Sequence, residues 1–161
     1  ADRWQLHQLT VNYRTPKDIA DLAAPLLQQI DPAQPAPVAL RESGTGVRYV
    51  VPTDEMPLSE GVREAIAQAR ELTGEEGLIG VIAAAPDTLR SAIAEPLEAT
   101  GAEVVLVDTA SAKGLEFDEV VLVEPADIVE ASPQGLNDLY VAMTRATQGL
   151  TVVHTRPLPW R

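Results

Sequence analysis

Residues 78–84, LIGVIAA, form a continuous apolar run with the length of one β-strand. A run without polar alternation is typical of a strand that is covered on both faces. Two similar runs follow at Glu103–Val107 and at residues 119–123, and helix-like stretches lie between the strand-like ones. This alternation predicts an α/β fold with a mainly parallel sheet flanked by helices.

The flanking elements are predicted from capping residues and apolar periodicity. Thr15 and Pro16 are expected to start one helix, and Ser59 and Gly74 are expected to open and close another, with Leu72 on its buried face. Residues 32–46 are predicted to form an irregular connection rich in proline and glycine. The remaining predictions are strands at residues 6–11, 47–51 and 150–154 and helices at residues 87–101 and 133–147.

Composition limits the function classes. The 161 residues are enough for one domain with its own core. No cysteine is present and the histidines are His7 and His154, so a metal site built from thiolates and imidazoles is not expected. No apolar run is long enough to cross a membrane, so we expect a cytoplasmic protein without a membrane partner. The net charge of −12 predicts weak binding to nucleic acid by this domain alone.

Residues 108–118 form a polar, glycine-containing loop between two predicted buried strands. The loop has room for only a short helix. Because parallel sheets place ligands at the carboxyl ends of their strands, this loop is a candidate ligand site.

Arg145 is a second candidate. On a helical wheel of about 100° per residue, Leu136, Leu139 and Met143 cluster on one side and Arg145 falls opposite. Two interpretations remain open from periodicity: a solvated surface arginine, or an arginine that faces a cleft shared with another domain.

Three segments then make the chain recognisable. Residues 8–15 are QLTVNYRT, residues 111–120 are SAKGLEFDEV and residues 139–146 are LYVAMTRA. In this order they resemble the motifs of the C-terminal motor domain of superfamily 1 helicases of the UvrD/Rep type. The resemblance implies a RecA-like fold for residues 1–161, as a second motor domain of the 2A type.

The resemblance also implies site residues for ATP and Mg²⁺. By position in the motifs, Arg14 and Arg145 are the arginines that contact the γ-phosphate, and such an arginine can raise the rate on the order of 10³–10⁵-fold. Tyr13 corresponds to the tyrosine that stacks on adenine, and Glu116 to the glutamate that contacts the ribose, with Gly114 as a further nucleotide contact. Ser111 and Lys113 are weaker candidates for contact with nucleic acid.

The chain also departs from the helicase pattern. It has no G-x-x-x-x-G-K-[ST] loop, so we expect a fragment of a longer protein whose N-terminal RecA-like domain holds most of the ATP and Mg²⁺. Ala110 stands where the family has a histidine that grips nucleic acid, and residues 82–85, IAAA, lack an expected arginine. No mobile subdomain is inserted between the first and second motifs. This pattern is most similar to HelD-type relatives that release RNA polymerase, so DNA and RNA polymerase both stay open as partners.

Two alternatives belong to other classes. A helicase fold that lacks activity could serve as an acidic docking module for a protein with a basic cleft. An unrelated α/β enzyme of flavodoxin-like shape is disfavoured, because the sequence holds no G-x-G-x-x-G and no nucleophile elbow.

Overall fold

The computed structural model describes residues 11–30, 38–41, 45–74, 76–91, 93 and 103–160. Its strands are β1 (Val11–Pro16), β2 (Val38–Arg41), β3 (Gly46–Val50), β4 (Leu78–Ile82), β5 (Glu103–Val107), β6 (Phe117–Val123) and β7 (Ala146–Val153). Its helices are α1 (Lys17–Ile30), α2 (Leu58–Thr73), α3 (Asp87–Arg90), α4 (Thr109–Ala112), α5 (Pro125–Glu130) and α6 (Gly135–Met143).

The strands form two parallel sheets. The larger sheet has five strands in the order β3-β7-β6-β4-β5, and the smaller one pairs β1 with β2. The predicted α/β class with a parallel sheet is therefore confirmed. The predicted irregular connection at residues 32–46 is corrected in part, because β2 and the start of β3 lie within it.

Helices cover both faces of the larger sheet. In β6, Val120 and Leu122 pack in the cluster that includes α1 and α6, whereas Val121 and Val123 pack in the cluster that includes α2. Successive side chains of a strand point to opposite faces, so a strand covered on both faces needs apolar residues at every position. This arrangement explains the continuous apolar runs in the sequence.

Several predicted boundaries shift. Helix α1 begins at Lys17, so Thr15 and Pro16 end β1 instead of starting the helix. Helix α2 begins after Pro57 without a side-chain cap, so Ser59 lies inside it, and Leu72 is 44% exposed instead of buried. Gly74 closes α2 as predicted, with φ of 73° and its N–H donating to the Arg70 carbonyl.

The last helix is shorter than predicted. Helix α6 ends at Met143 and β7 already begins at Ala146, because residues 146–153 join the sheet beside β6. Helix α5 was not predicted. Residues 6–10 of the first predicted strand and residues 94–101 of the predicted 87–101 helix lie outside the described residues.

The segment after β7 is held at the carboxyl end of β6. The buried Glu124 carboxylate accepts hydrogen bonds from the N–H and Oγ1 of Thr155 and from the N–H of Arg156, at 2.6–3.1 Å. Beyond it, Leu158 and Trp160 are buried in the cluster that includes α1. Among the helices of the described ranges, none combines the length and the apolar character needed to cross a bilayer.

Gly80 in β4 lies directly against the ring of Phe117 at the start of β6. A Cβ atom at Gly80 would come within 2.5 Å of Cδ2 of that ring. Phe117 is 2% exposed, so the ring has little space into which it can move.

We therefore expect Gly80→Ala to lower the free energy of unfolding by about 1–3 kcal/mol through overpacking. Chemical denaturation of the purified chain measures the change. Combining Gly80→Ala with Phe117→Leu should recover part of the loss in a double-mutant cycle. Strictly additive losses would show that the ring contact is not the cause.

A candidate site at the arginine turn

Thr144 and Arg145 form a turn between α6 and β7, which we call the arginine turn. The Nε of Arg145 donates to the Val141 carbonyl at 3.0 Å, and Nη2 donates to Oγ1 of Thr144 at 3.4 Å. The side chain is half-buried. The prediction that this helix continues to residue 147 was wrong, so the helical wheel does not apply to Arg145, and the guanidinium folds back over the helix end. A cation there also offsets the negative end of the helix dipole.

The first motif reaches this turn through Thr15. Its side chain is 1% exposed, and its Oγ1 donates to the carbonyl of Thr144 at 3.4 Å. Tyr13 and Arg14 precede Thr15 in β1, so their backbone is brought to the arginine turn. The side chains of Tyr13 and Arg14 lie outside the described part of the structure.

The second motif reaches the same turn from the other side. The N–H of Phe117 donates to the carbonyl of Arg145 at 2.9 Å, and Oγ1 of Thr147 donates to the Phe117 carbonyl at 3.2 Å. Phe117 is paired with Ala146 in the sheet, so Glu116 and Arg145 each precede one member of this pair. Glu116 is half-buried. The three motifs, far apart in sequence, therefore meet at one turn.

Gly114 stands in the loop just before Glu116. Its φ of 81° lies in the left-handed region, which favours glycine, and no atom lies within 4 Å of the position a Cβ would take. A ligand can therefore approach the backbone closely at this point, as a nucleotide contact requires.

Ser111 and Lys113 are placed differently from the nucleotide candidates. Helix α4 is the short helix for which the loop had room, and Asp108 caps it by accepting from the N–H of Ser111 at 2.7 Å. The loop starts at the carboxyl end of β5 but finishes at the amino end of β6. Only the part of the loop around Ser111 therefore lies at the carboxyl ends of the strands. The sequence analysis had predicted that the whole loop lies there.

Lys113 has an acidic neighbour. Its Nζ lies 3.8 Å from Oδ1 of Asp138 on α6, and the lysine side chain is 52% exposed. The same aspartate accepts from Oγ of Ser132. Among the described residues, no three histidine, aspartate or glutamate side chains are grouped to hold a metal ion.

Tyr140 adds a phenol near the arginine turn. Burial raises the pKa of Tyr140 above its ordinary value, and the positive charge of Arg145 opposes this shift. The phenol is therefore neutral at physiological pH.

A buried carboxylate was missed by the sequence analysis. Glu119 is 0% exposed in β6, where its Oε2 accepts from Oγ1 of Thr45 and its Oε1 from Nη2 of Arg48, both at 2.5 Å. Burial raises the pKa of Glu119, while Thr45 and Arg48 act in the opposite direction. The available signal was an acidic residue at the head of an otherwise apolar strand, together with an arginine in a strand-like run.

The raised pKa of Glu119 predicts a pH dependence of stability. The folded protein binds the proton of the Glu119 carboxyl more tightly than the unfolded chain does. The contribution of this proton to the free energy of unfolding is therefore fully present below the ordinary pKa of 4.5. It is lost as the pH rises through the raised pKa. Glu119→Gln should remove this loss. The free energy of unfolding of the wild type, minus that of the variant, should therefore fall with rising pH.

Urea denaturation at a series of pH values from about 4 to about 8 measures this difference. Glu130→Gln is the matched control, because a hydrogen bond from Arg156 lowers the pKa of Glu130 and its pH effect has the opposite sign. Parallel pH curves for wild type and Glu119→Gln would contradict the prediction.

Comparison with known proteins gives one family match, over the carboxyl-terminal part of the chain. Residues 103–153, which run from β5 to β7 and include the second and third motifs, match the family model of the UvrD-like helicase C-terminal domain. We found no match among curated protein sequences.

Two solved structures are similar in shape. One is the C-terminal domain of a possible DNA helicase from Lactobacillus plantarum WCFS1, with a TM-score of 0.63 and 20% identity over 92% of this chain and 91% of that one. The other is the Sulfolobus solfataricus SWI2/SNF2 ATPase core in complex with double-stranded DNA, with a TM-score of 0.42 and 10% identity over 93% of this chain and 34% of that one. The second likeness is too weak to support an argument. Residues 103–153 thus resemble a UvrD-like helicase C-terminal domain in sequence, and the chain shares the RecA-like fold of a helicase C-terminal domain.

Proposed function

We propose that this chain is the second RecA-like domain of an ATP-driven superfamily 1 helicase or translocase. Arg145 and Arg14 would donate hydrogen bonds to the γ-phosphate of ATP bound at the interface with an N-terminal RecA-like domain. The supporting observation is the meeting of the three motifs at the arginine turn, through the bonds from Thr15 and from Phe117.

Phosphoryl transfer from ATP would use two arginines that lie close together. Phosphoryl transfer is catalysed mainly by positioning and by electrostatic stabilisation of the phosphate oxygens. The planar guanidinium suits this task, because it stays charged and donates two parallel hydrogen bonds. Two arginines that are close in space but far apart in sequence can both contact one phosphate group only if the fold holds their backbones together.

The contacts of Arg145 are compatible with this role. Its Nε bond to the helix carbonyl is of ordinary length, whereas the Nη2 contact with the Thr144 hydroxyl is long at 3.4 Å. A charge-assisted bond to phosphate is stronger than a long bond to a neutral hydroxyl. The Nε bond keeps the side chain at the end of the helix.

The rest of the nucleotide site is divided between two domains. Tyr13 would stack on adenine, Glu116 would contact the ribose, and the open backbone at Gly114 would lie against the nucleotide. The chain has no phosphate loop, so the β-phosphate and Mg²⁺ would be held mainly by the other domain. ATP bound there supplies the phosphoryl group for hydrolysis.

Arg145→Ala in the polypeptide that joins this chain to its phosphate-loop domain should lower kcat for ATP hydrolysis by roughly a hundredfold or more. Arg145→Lys should be nearly as slow, because an ammonium cannot donate the two parallel bonds. Steady-state phosphate release measures both, and thermal unfolding verifies that the variants are folded.

Arg156→Ala is the matched control, since this arginine pairs with Asp127 and Glu130 beyond the far end of β7 and should leave kcat unchanged. The chain alone should not hydrolyse ATP. Normal turnover by Arg145→Ala would overturn the role of Arg145 at the γ-phosphate. No ATP turnover by the wild-type polypeptide would instead support an acidic docking module that does not use ATP.

We further propose RNA polymerase, rather than DNA, as the molecule that the motor remodels, as in HelD-type proteins. Three features weaken a grip on phosphates: the net charge of −12, Ala110 in place of a histidine, and the Asp138 carboxylate beside Lys113. Ser111 and Lys113 would be the remaining contacts if the partner were a nucleic acid.

The partner proposal predicts a difference in salt dependence. Binding to single-stranded DNA should be weak and should fall steeply between about 50 and 200 mM salt, because it depends on counterion release. Binding to RNA polymerase should persist over this range. Fluorescence anisotropy with labelled DNA and with labelled polymerase tests both partners, and tight binding to DNA alone would overturn the polymerase proposal.

A further inference from the structure

Thr15 is buried in a strand, although the sequence predicted that it caps a helix. It ends β1, with 1% of its surface exposed. A buried hydroxyl needs a hydrogen-bond partner, since burying it without one costs roughly 1–3 kcal/mol. Thr15 contacts the Thr144 carbonyl, which is 129 residues away in the sequence.

The two ends of this bond are the chain neighbours of the two candidate arginines. Arg14 is the residue before Thr15, and Arg145 is the residue after Thr144. Consecutive Cα atoms are about 3.8 Å apart, so a bond between the neighbours limits how far the two arginine backbones can separate. At 3.4 Å, this side-chain hydrogen bond links β1 directly to the arginine turn.

The other side of the turn is held by a backbone bond, from the Phe117 N–H to the Arg145 carbonyl. The sheet pairing of β6 with β7 maintains that bond whatever the side chains are. Strand β1 belongs to a different sheet, so its attachment to the turn does not follow from the same ladder. The Thr15 hydroxyl makes a side-chain contact of this attachment that a single substitution can remove.

We propose that Thr15 is a positioning residue that holds the strand of Arg14 against the turn of Arg145, so that both arginines can meet one phosphate group. This inference rests on the proposed function. Thr15 would act through the two arginines and would not itself touch the nucleotide. Small misplacements of catalytic groups can cost on the order of 10²-fold in rate, so the loss of one tether should be visible in kcat.

The test uses the polypeptide that contains this chain and its phosphate-loop domain. Thr15→Val keeps the shape of the side chain and removes the hydroxyl, and it should lower kcat about tenfold while KM for ATP changes little. Thr15→Ser retains the hydroxyl and should restore most of kcat. This rescue would not occur if the methyl group of Thr15 were the part that matters.

Thr151→Val is the matched control. Thr151 is another buried threonine with a distant partner, since its Oγ1 accepts from Nε of Arg48 at 3.2 Å. It lies away from the arginine turn, so the substitution should lower stability to a similar extent and leave kcat unchanged. Thermal unfolding of both variants provides the comparison.

A double variant separates positioning from a general structural role. If Thr15 acts through the arginine pair, Thr15→Val should add little to the loss already caused by Arg145→Ala. Three outcomes would overturn the inference about Thr15 but not the proposed function. They are full additivity of the two losses, a normal kcat for Thr15→Val, and a Thr15→Ser variant as slow as Thr15→Val. Normal hydrolysis by Arg145→Ala would overturn the proposed function as well, so the two failures are distinguishable.

Discussion

The hydrogen bond from the Phe117 N–H to the Arg145 carbonyl sets the point at which β6 and β7 begin to pair. The ring of the same Phe117 covers Gly80 in the middle of β4, so one residue contacts both strands that neighbour β6. A slip of one residue would turn every side chain of β6 to the other face. It would also move the arginine turn away from Thr15. The start of the β6–β7 pairing and the geometry of the candidate site therefore share the same contact.

The candidate site lies at the amino ends of β6 and β7, whereas open parallel sheets usually place ligands at the carboxyl ends. At the carboxyl end of β6, the buried Glu124 carboxylate is occupied by the segment that follows β7. The turn before β7 and the loop before β6 instead present Arg145 and Glu116 next to each other. Such an edge suits a surface that completes a site on another domain, because it does not enclose a ligand by itself.

Much of the fold could be predicted from the sequence, because a strand buried on both faces needs apolar residues at every position. The apolar runs at residues 78–84, 104–107 and 120–123 have this property. The wheel for Arg145 failed because periodicity cannot show where a helix gives way to a strand. Residue types at the end of α6 suit a helix, and the pairing of β7 with β6 ends it.

The candidate site was predictable in composition but not in geometry. The motifs identified Arg145 and Glu116, and their adjacency follows from the pairing of Phe117 with Ala146. The bond of Thr15 was beyond prediction, since its partner is a backbone carbonyl that every residue possesses. The partner of Glu119 was equally beyond prediction, because nothing in a single sequence pairs Glu119 with Arg48 across 71 positions.

The electrostatics of the arginine turn explain why a second domain is needed in the proposed site. Arg145 lies at the carboxyl end of α6, where the helix carries a partial charge of about −0.5. That charge offsets part of the guanidinium charge, and the net charge of −12 repels a polyanion at longer range. Screening limits this repulsion to about 8–10 Å in physiological salt. The arginine therefore attracts a phosphate strongly only at hydrogen-bond distance, which fits the proposal that another domain brings the nucleotide that close.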